Sequence, residues 1–240
     1  MQNPTVQLTR LAAVHDTIVR CERCPRLRTY CQQIAHDKRR AYRDETYWGR
    51  PVRGFGDPSA RLLLVGLAPA AHGANRTGRM FTGDGTGGSG DFLMEALNRT
   101  GFSNIPTSRH VDDGLVLYDA YIVAAVRCAP PANAPLPEEI TRFLEHLEAE
   151  IAELPRVQVV VALGKIAFDV WLRLLKSRGA EVPSPRPQFA HGEFVRVTGP
   201  DALPKIILGC YHPSRQNTNT GKLTKAMMAA VFRKAKGLLG

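Results

Sequence analysis

Three loops in this chain carry polar side chains that could do chemistry, and each loop follows a short apolar run. The first loop opens at Gly66 and reads GLAPAAHGANRTGRMFTGD, the second reads RCAPPAN, and the third reads YHPSRQN. Together they supply His72, Asn75, Phe81, Asp84, Asn133, His212, Ser214 and Asn217. Each residue alone has an ordinary explanation, such as a turn or a helix cap. Their joint placement after apolar runs is what indicates a site.

The elements that position these loops can be predicted from hydrophobic periodicity. Apolar runs of strand length lie at residues 62–65, 121–126, 157–163 and 206–209. Helical spacing predicts helices at 91–99, 137–153, 164–176 and 222–238, and weak alternation predicts an edge strand at 194–197. Strands that alternate with helices predict a mostly parallel sheet with helices on both faces. Because ligands bind at the carboxyl ends of parallel strands, the three loops should meet at one edge.

The N-terminal part has a different character. Residues 4–20 and 26–43 are predicted to form two helices, with Cys21-x-x-Cys24 between them. The chain has five cysteines, and an odd number argues against a disulfide framework. A thioredoxin-type redox site would follow a strand in a βαβ unit, which this segment lacks. The spacing therefore favours metal or iron–sulfur ligation.

Composition narrows the class of protein. The 240 residues are 44% hydrophobic, carry a formal net charge of +10 and have a pI of about 9.7. Such a charge favours a polyanionic partner, most commonly nucleic acid, although a generally basic surface is the alternative. No apolar run is long enough to span a bilayer, and the N-terminus lacks the apolar core of a signal peptide. We expect a soluble cytoplasmic protein.

Several chemistries lack their required residues. No GK[ST] ends the first loop, so it is not a P-loop. There is no G-x-S-x-G elbow and no H-E-x-x-H or zinc deaminase signature. No second carboxylate stands beside Asp84 in its loop, so a two-carboxylate glycosidase is not indicated.

The three motifs, in this order, resemble those of family 5 (type b) uracil-DNA glycosylases. The segments CERCPRL and YWGRPVRGFGDP fit the same family, and the resemblance covers nearly the whole chain. It implies a three-layer αβα fold with a central four-stranded, mostly parallel sheet. It also implies a single domain over residues 1–240, with an N-terminal helical cluster-binding segment at about 1–58. The expected protein is a prokaryotic, monomeric DNA repair enzyme.

The resemblance implies an activity and a set of catalytic residues. The enzyme would hydrolyse the N-glycosidic bond of uracil, and of other deaminated bases such as hypoxanthine, after flipping the nucleotide out of DNA. His212 would donate a hydrogen bond to the uracil oxygen as charge builds on the leaving base. Asn133 would read the base edge, and Asp84 would stabilise the cation-like sugar or orient water. No lysine in the motifs is placed to form a Schiff base, so strand cleavage is not predicted.

Other residues are assigned to substrate binding. Phe81 would stack on the flipped base. Ser214 would contact the DNA backbone, and Asn217 would hold its loop or touch the substrate. The set is completed by the backbone around Gly66, Leu67 and Ala68. Ala68 stands where many relatives outside the family have a water-activating Asp or Asn, which predicts a broader range of bases. His72 receives no role.

The iron–sulfur ligands depart from the family pattern. The family carries a [4Fe–4S] cluster remote from the catalytic pocket, and Cys21, Cys24 and Cys128 match three of its four ligands. Phe143 stands where the fourth cysteine is expected. Cys31, about two helical turns after Cys24, and His146, one turn past Phe143, are the two candidate replacements. His146 has the better register, but Cys31 has the more usual ligand chemistry and is the predicted fourth ligand. Loss of the cluster, or zinc in its place, is the alternative.

Two other functions fit part of these observations. A non-catalytic iron–sulfur or zinc protein that binds nucleic acid would share the charge and the Cys-x-x-Cys motif. It would not require His212, Asp84 and Phe81 to converge. A superfamily member that becomes covalently trapped on its product is the third possibility, and heat-stable protein–DNA adducts would reveal it.

Overall fold

Helices and strands alternate along most of the chain. The computed structural model describes residues 4–83, 85–200, 204 and 206–240. Its first half contains helices α1 (Pro4–Val19) and α2 (Pro25–Asp37), strands β1 (Phe55–Gly56) and β2 (Leu62–Gly66), helices α3 (Ala74–Thr77) and α4 (Ser89–Arg99), and strand β3 (Ala120–Ala124). The second half contains α5 (Pro137–Ala152), β4 (Val159–Leu163), α6 (Lys165–Ser177), β5 (Phe194–Arg196), β6 (Ile206–Cys210), α7 (Arg215–Asn219) and α8 (Lys225–Leu238).

The sheet has a parallel core with an antiparallel strand at each edge. Its strand order is β1-β3-β2-β4-β6-β5. Strands β3, β2, β4 and β6 are parallel, whereas β1 and β5 pair antiparallel with their neighbours. The predicted four-stranded parallel core is confirmed, and so is the edge strand near residue 194. Strand β1 was not predicted, because two residues are too short to show a periodicity.

Helices cover both faces of this sheet, as the predicted αβα layering requires. Successive side chains of a strand point to opposite faces. Leu63 and Val65 accordingly pack with α1, α2, α5 and α6, while Leu62 and Leu64 pack with α4 and α8. None of the helices in the described part of the chain is long and apolar enough to cross a membrane. The limits of the predicted domain and of its N-terminal segment stay predictions.

Three helix boundaries differ from those predicted. Helix α2 ends at Asp37, well before residue 43, and Lys38 follows with a positive φ of 51°. Helix α4 begins at Ser89, two residues before its predicted start at residue 91. The last predicted helix, 222–238, begins only at Lys225 as α8, where Thr224 caps it by accepting a hydrogen bond from the Met227 N–H, and the short helix α7 before it was not predicted. At the N-terminal ends of α4 and α8, polar or glycine residues of a kind that also suits loops begin or cap the helix.

A buried ion pair joins α5 to the sheet. Arg127 and Glu150 are both fully buried, with Arg127 Nη1 2.6 Å from Glu150 Oε2. Glu150 Oε1 also accepts hydrogen bonds from the Tyr121 hydroxyl at 2.8 Å and the Gly54 N–H at 2.9 Å, and it lies 2.9 Å from His15 Nε2. Burial alone would raise the pKa of Glu150, but Arg127, His15 and Tyr121 lower this pKa to about 2.

We expect Glu150→Ala to lower the free energy of unfolding by about 3–5 kcal/mol, because it leaves the Arg127 guanidinium buried without a counterion. Urea denaturation measures the change. The matched control replaces both partners, Arg127→Met with Glu150→Leu, and should cost less than Glu150→Ala alone. An unchanged midpoint in Glu150→Ala would contradict the structural role of the pair.

The same pair sets a pH dependence of stability. The folded-state pKa of Glu150 lies below its ordinary value of 4.5. Its contribution is therefore complete above pH 4.5 and is lost as the pH falls towards about 2. The difference in stability between the wild type and Glu150→Ala should shrink over this interval.

Candidate active site

A small cavity lies where the parallel strands end. Gly66 closes β2, Ala124 closes β3, and His212 lies in the loop that follows β6. This strand-end cavity encloses about 50 Å³ and is lined by small or apolar residues and two polar ones: Gly66, Ala68, Pro69, Ala70, Ala74, Met80, Phe81, Ser89, Ala124 and His212. The expected meeting of the first and third loops at one sheet edge is confirmed.

Phe81 is held over the end of β2 by close packing. Its backbone is left-handed, with a φ of 51°. A Cβ atom added to Gly66 would lie 3.2 Å from Phe81 Cε2, and one added to Gly90 would lie 2.2 Å from the Phe81 carbonyl oxygen. The ring centroids of Phe81 and His212 are 5.8 Å apart, with an interplanar angle of 34°. The two glycines therefore make room for an aromatic ring beside His212.

The loop before Phe81 is anchored by the buried guanidinium of Arg76. Its Nη2 donates to the Gly83 carbonyl at 2.6 Å and its Nε to the His72 carbonyl at 2.9 Å. The same guanidinium lies 3.9 Å from the Tyr42 ring centroid and pairs with Glu45. Arg76 thus holds the residue before the predicted catalytic Asp84. Asp84 itself lies outside the described residues.

A second buried arginine anchors the other side of this loop. Arg79 Nη2 lies 2.7 Å from Asp113 Oδ2, and Arg79 Nε donates to Thr82 Oγ1 at 2.9 Å. Burial would raise the pKa of Asp113, but the bonds from Arg79 and from nearby backbone amides lower it. The pair is therefore ionised at neutral pH, which keeps Thr82 and its neighbours in place.

His212 is neutral at physiological pH. Burial lowers its pKa to about 4. The Asn217 side chain donates from Nδ2 to the His212 carbonyl at 2.8 Å, and Ser214 Oγ accepts from the Asn217 N–H at 3.4 Å as the cap of α7. Asn217 thus holds the His212 loop, one of its two predicted roles. Neither Ser214 nor Asn217 lines the strand-end cavity.

A larger cavity adjoins the first and contains Asn133. This flank cavity encloses about 340 Å³, shares Ala70 and Ser89 with the strand-end cavity, and is also lined by Arg39, Tyr42, Ala71, His72, Gly73, Gly83, Asn133 and Arg215. Asn133 is exposed and left-handed, with a φ of 57°. The structure therefore places Asn133 beside the strand-end cavity and not within its wall.

The predicted site residues thus separate into groups. Gly66, Ala68, Phe81 and His212 line one cavity. Leu67 does not, and its carbonyl accepts the Val126 N–H at 2.9 Å, which ties β2 to the segment after β3. The lining residues that were not predicted are mostly small or apolar: Pro69, Ala70, Ala74, Met80, Ser89 and Ala124. Ser89 is the polar residue among them, and it lies in the segment GDGTGGSG, directly before the predicted helix at 91–99.

The predicted cluster ligands Cys21, Cys24, Cys31 and Cys128 are all buried. The thiols of Cys31 and Cys128 share a hydrogen bond, which lowers the pKa of Cys31, and Cys31 Sγ also contacts the Ala129 carbonyl at 3.5 Å. The Cys24 thiol interacts with Arg142. Among the described residues, no three His, Cys, Asp or Glu side chains are arranged to hold a metal ion. The four thiols are the donor type that an iron–sulfur cluster requires, and no reaction step depends on a cluster.

The two candidates for the fourth ligand have different surroundings. Cys31 lies against Cys128, a predicted ligand. His146 packs against the Phe143 ring, with centroids 5.9 Å apart, and its buried Nε2 has no hydrogen-bond partner in the part of the chain that is described. Burial, with Arg23 and Arg127 nearby, lowers the pKa of His146. The contact with Cys128 favours Cys31.

Comparison with known proteins connects this site to a family. Residues 53–236 match the family model described as the uracil DNA glycosylase superfamily. The chain is 48% identical over 221 residues to the Type-5 uracil-DNA glycosylase of Mycobacterium tuberculosis, which covers 92% of this chain and 78% of the relative. It is 47% identical over 225 residues to the Type-5 enzyme of Thermus thermophilus, covering 94% and 96%. For the Type-5 enzyme of Pyrobaculum aerophilum the identity is 45% over 220 residues, covering 92% and 89%.

Proposed function

The chain belongs to the uracil DNA glycosylase superfamily and, within it, to the Type-5 uracil-DNA glycosylases, and we propose from this premise how its site excises uracil. The reaction is hydrolysis of the N-glycosidic bond between the base and deoxyribose, as a step of base excision repair. The observation that carries the proposal is the pairing of Phe81 and His212 across one cavity at the strand ends.

Phe81 supplies the surface for the base. An extruded base loses its stacking in the duplex, and an aromatic ring replaces that contact. The position of Phe81 is fixed from two sides, because its ring lies against Gly66 and its carbonyl oxygen lies against Gly90. A base on this ring lies beside the His212 imidazole, whose ring centroid is 5.8 Å away.

His212 stabilises the leaving base as a neutral hydrogen-bond donor. Cleavage places negative charge on the uracil oxygen, and a donor already oriented towards it lowers the barrier. Burial keeps the imidazole uncharged, and the Asn217 amide fixes the position of its backbone. The apolar cavity wall strengthens this hydrogen bond by excluding water.

Asp84 is the residue that we assign to the sugar of the flipped nucleotide. A carboxylate close to the cation-like sugar would stabilise it or orient the attacking water. Arg76 supports this role by holding Gly83, the preceding residue, at 2.6 Å. Ala68 lines the cavity but has no side chain that could act as a base. Catalysis therefore depends on stabilising two charges, the negative charge on the leaving base and the positive charge on the sugar.

The range of bases that the enzyme accepts follows from the residues that line the strand-end cavity. Ala68, Pro69, Ala70 and Ala74 present few polar filters to the base. We infer that uracil and other deaminated bases, hypoxanthine among them, are accepted. Asn133 lies on the rim of the neighbouring cavity, where its amide would meet the edge of the bound nucleotide.

The substrate is DNA that contains such bases. One chain is sufficient to form the site, since a single polypeptide lines both cavities. The lining of the cavities supports a monomer. The DNA substrate supports a location beside the chromosome, which is the cytoplasm in a prokaryotic cell. The second candidate, a non-catalytic nucleic-acid-binding protein, is not favoured, because it does not require Phe81 and His212 to share a cavity.

The iron–sulfur cluster is a separate proposal. Cys21, Cys24, Cys128 and Cys31 are the proposed ligands of a [4Fe–4S] cluster. The contact between the Cys31 and Cys128 thiols supports Cys31 over His146. When bound, such a cluster would cross-link the N-terminal helices to the loop after β3.

We expect Asp84→Ala to lower single-turnover uracil excision far more than it lowers DNA affinity, because the carboxylate acts on the developing sugar cation. Quenched oligonucleotide cleavage measures excision, and fluorescence anisotropy measures binding. Asp84→Asn, which keeps the size of the side chain, is the matched variant. Excision at the wild-type rate in Asp84→Ala would remove Asp84 from the mechanism.

We expect His212→Ala to lower single-turnover excision by about tenfold to a thousandfold, the range supplied by one charge-stabilising donor. Because burial lowers the pKa of His212 to about 4, the wild-type rate should show no step at about pH 6.5 that is caused by this residue. A rate profile measured across this pH provides the check. A wild-type step near pH 6.5 that disappears in His212→Ala would show that the imidazolium is the active form.

We expect Cys31→Ser to lower iron and acid-labile sulfide per chain in anaerobically purified protein, and His146→Gln to leave both unchanged. The reason is that Cys31 and not His146 contacts a proposed ligand. Phe143→Cys, which restores the thiol of the family pattern, is the comparison variant. If iron is retained only after Phe143→Cys, the proposed ligand set is wrong.

A further inference from the structure

The flank cavity has no role in the mechanism beyond the rim residue Asn133, yet it is directly connected to the base site. It shares Ala70 and Ser89 with the strand-end cavity and, at about 340 Å³, it is much larger. A nucleotide whose base fills the first cavity carries phosphates by covalent linkage. Its backbone must therefore leave through the neighbouring space, which makes this space a candidate for binding DNA outside the flipped base.

Two cationic side chains from distant parts of the chain line this cavity. Arg39 follows α2 and is exposed, and its guanidinium has no acidic partner among the described residues. Arg215 begins α7, three residues after His212. A Cβ atom added to Gly85 would lie 3.7 Å from both Arg215 Nη2 and the Tyr42 hydroxyl oxygen, so these two groups approach the same point. Two guanidinium groups beside one cavity suit a phosphodiester.

His72 adds a neutral donor whose orientation is set by a buried tyrosine. The Arg39 backbone N–H donates to the Tyr47 hydroxyl oxygen at 3.3 Å, and that hydroxyl lies 3.0 Å from His72 Nδ1. Tyr47 is buried, and His72 Nδ1 is the acceptor available to its proton within the described residues. The His72 proton is then on Nε2. Burial, with Arg39 and Arg76 nearby, lowers the pKa of His72, so the ring is an uncharged donor.

The cavity suits a phosphate better than a second base. Tyr42 is the aromatic residue of its wall, and one face of that ring is already covered by the Arg76 guanidinium, 3.9 Å from the ring centroid. The remaining polar groups are mainly donors: guanidinium, imidazole and the Asn133 amide. No carboxylate among the described residues lines the cavity. This set of donors matches the anionic oxygens of a phosphodiester.

We propose that the flank cavity binds one phosphodiester of the damaged DNA strand, next to the flipped nucleotide, through Arg39, Arg215 and His72. The inference rests on the proposed uracil excision and assigns His72, which the sequence left without a role. The contact would hold the strand while the base occupies the strand-end cavity. It reads no base, so it acts alike on every deaminated base that the enzyme accepts.

The test is phosphate neutralisation combined with substitution. Oligonucleotides carry one 2′-fluoro-deoxyuridine, which resists cleavage, and a single uncharged methylphosphonate at each flanking phosphate in turn. Fluorescence anisotropy measures the Kd for the wild type, Arg39→Gln and His72→Ala. Arg173→Gln is the matched control, because Arg173 is exposed, and the substitution makes the same change in charge towards the end of α6, away from the strand ends.

We expect one methylphosphonate position to weaken wild-type binding by about tenfold, the effect of losing a charge-assisted hydrogen bond. Arg39→Gln and His72→Ala should bind the unmodified strand more weakly and show little further loss at that position. Arg39→Gln should also reduce the slope of log Kd against log salt by about 0.7–0.9. Arg173→Gln should keep the wild-type pattern of methylphosphonate effects.

Two outcomes would overturn the phosphate site: no flanking methylphosphonate weakens wild-type binding, or Arg39→Gln keeps the full wild-type penalty. Failure of the proposed function is seen separately, as absence of excision by the wild type on an unmodified uracil oligonucleotide. The binding experiment uses an uncleavable strand, so the two failures are distinguishable.

Discussion

The active site depends on the close packing of Phe81 against two glycines. Its ring lies against Gly66 at the end of β2, and its carbonyl lies against Gly90 in the first turn of α4. Any side chain at Gly90 would collide with that carbonyl, and a methyl group at Gly66 would press on the ring. Strand β2, the loop that carries Phe81 and helix α4 must therefore keep the relative positions that leave room for the aromatic ring. Because Phe81 adopts a left-handed backbone, its position is maintained by these neighbours and by the Arg76 and Arg79 anchors.

The two adjoining cavities differ in electrostatic character, since one is mostly apolar and the other is lined by cationic side chains. This difference matches the two parts of a nucleotide, the base and the charged backbone. The strand-end cavity is mostly apolar, so it favours an uncharged base and keeps His212 neutral. The flank cavity is lined by arginines, so it favours the anionic backbone. Charge that develops on the leaving base thus appears in a region of low dielectric constant, where one hydrogen bond has a large effect. The positive net charge of the chain adds long-range attraction without disturbing that region.

Sequence reasoning was most successful where a residue pattern has a direct physical cause. Apolar runs of strand length predicted the four parallel strands, and the loops after them supplied Phe81 and His212. It could not separate Asn133 from the strand-end cavity, because that depends on the turn at Ala132 and Asn133, where both residues have a positive φ. It also could not predict small wall residues such as Ala74 and Ala124, since their contribution is shape and not chemistry. The pairing of Cys31 with Cys128 needed the packing of α2 against the loop after β3.

The N-terminal helices are attached to the sheet by interactions that do not require a cluster. Arg26 makes a two-bond contact with Glu139 at the start of α5, each bond 2.8 Å long. His15 reaches the buried Glu150 near the other end of the same helix. Because these contacts bracket α5, helices α1 and α2 keep their positions whichever ligands the thiols hold. The replacement of the expected fourth cysteine by Phe143 is then tolerated, since its ring is almost fully buried and contributes apolar packing at this point. The strand-end cavity is lined by the ends of β2 and β3 and by the loops and helices beside them, so its geometry depends on the sheet and not on the cluster.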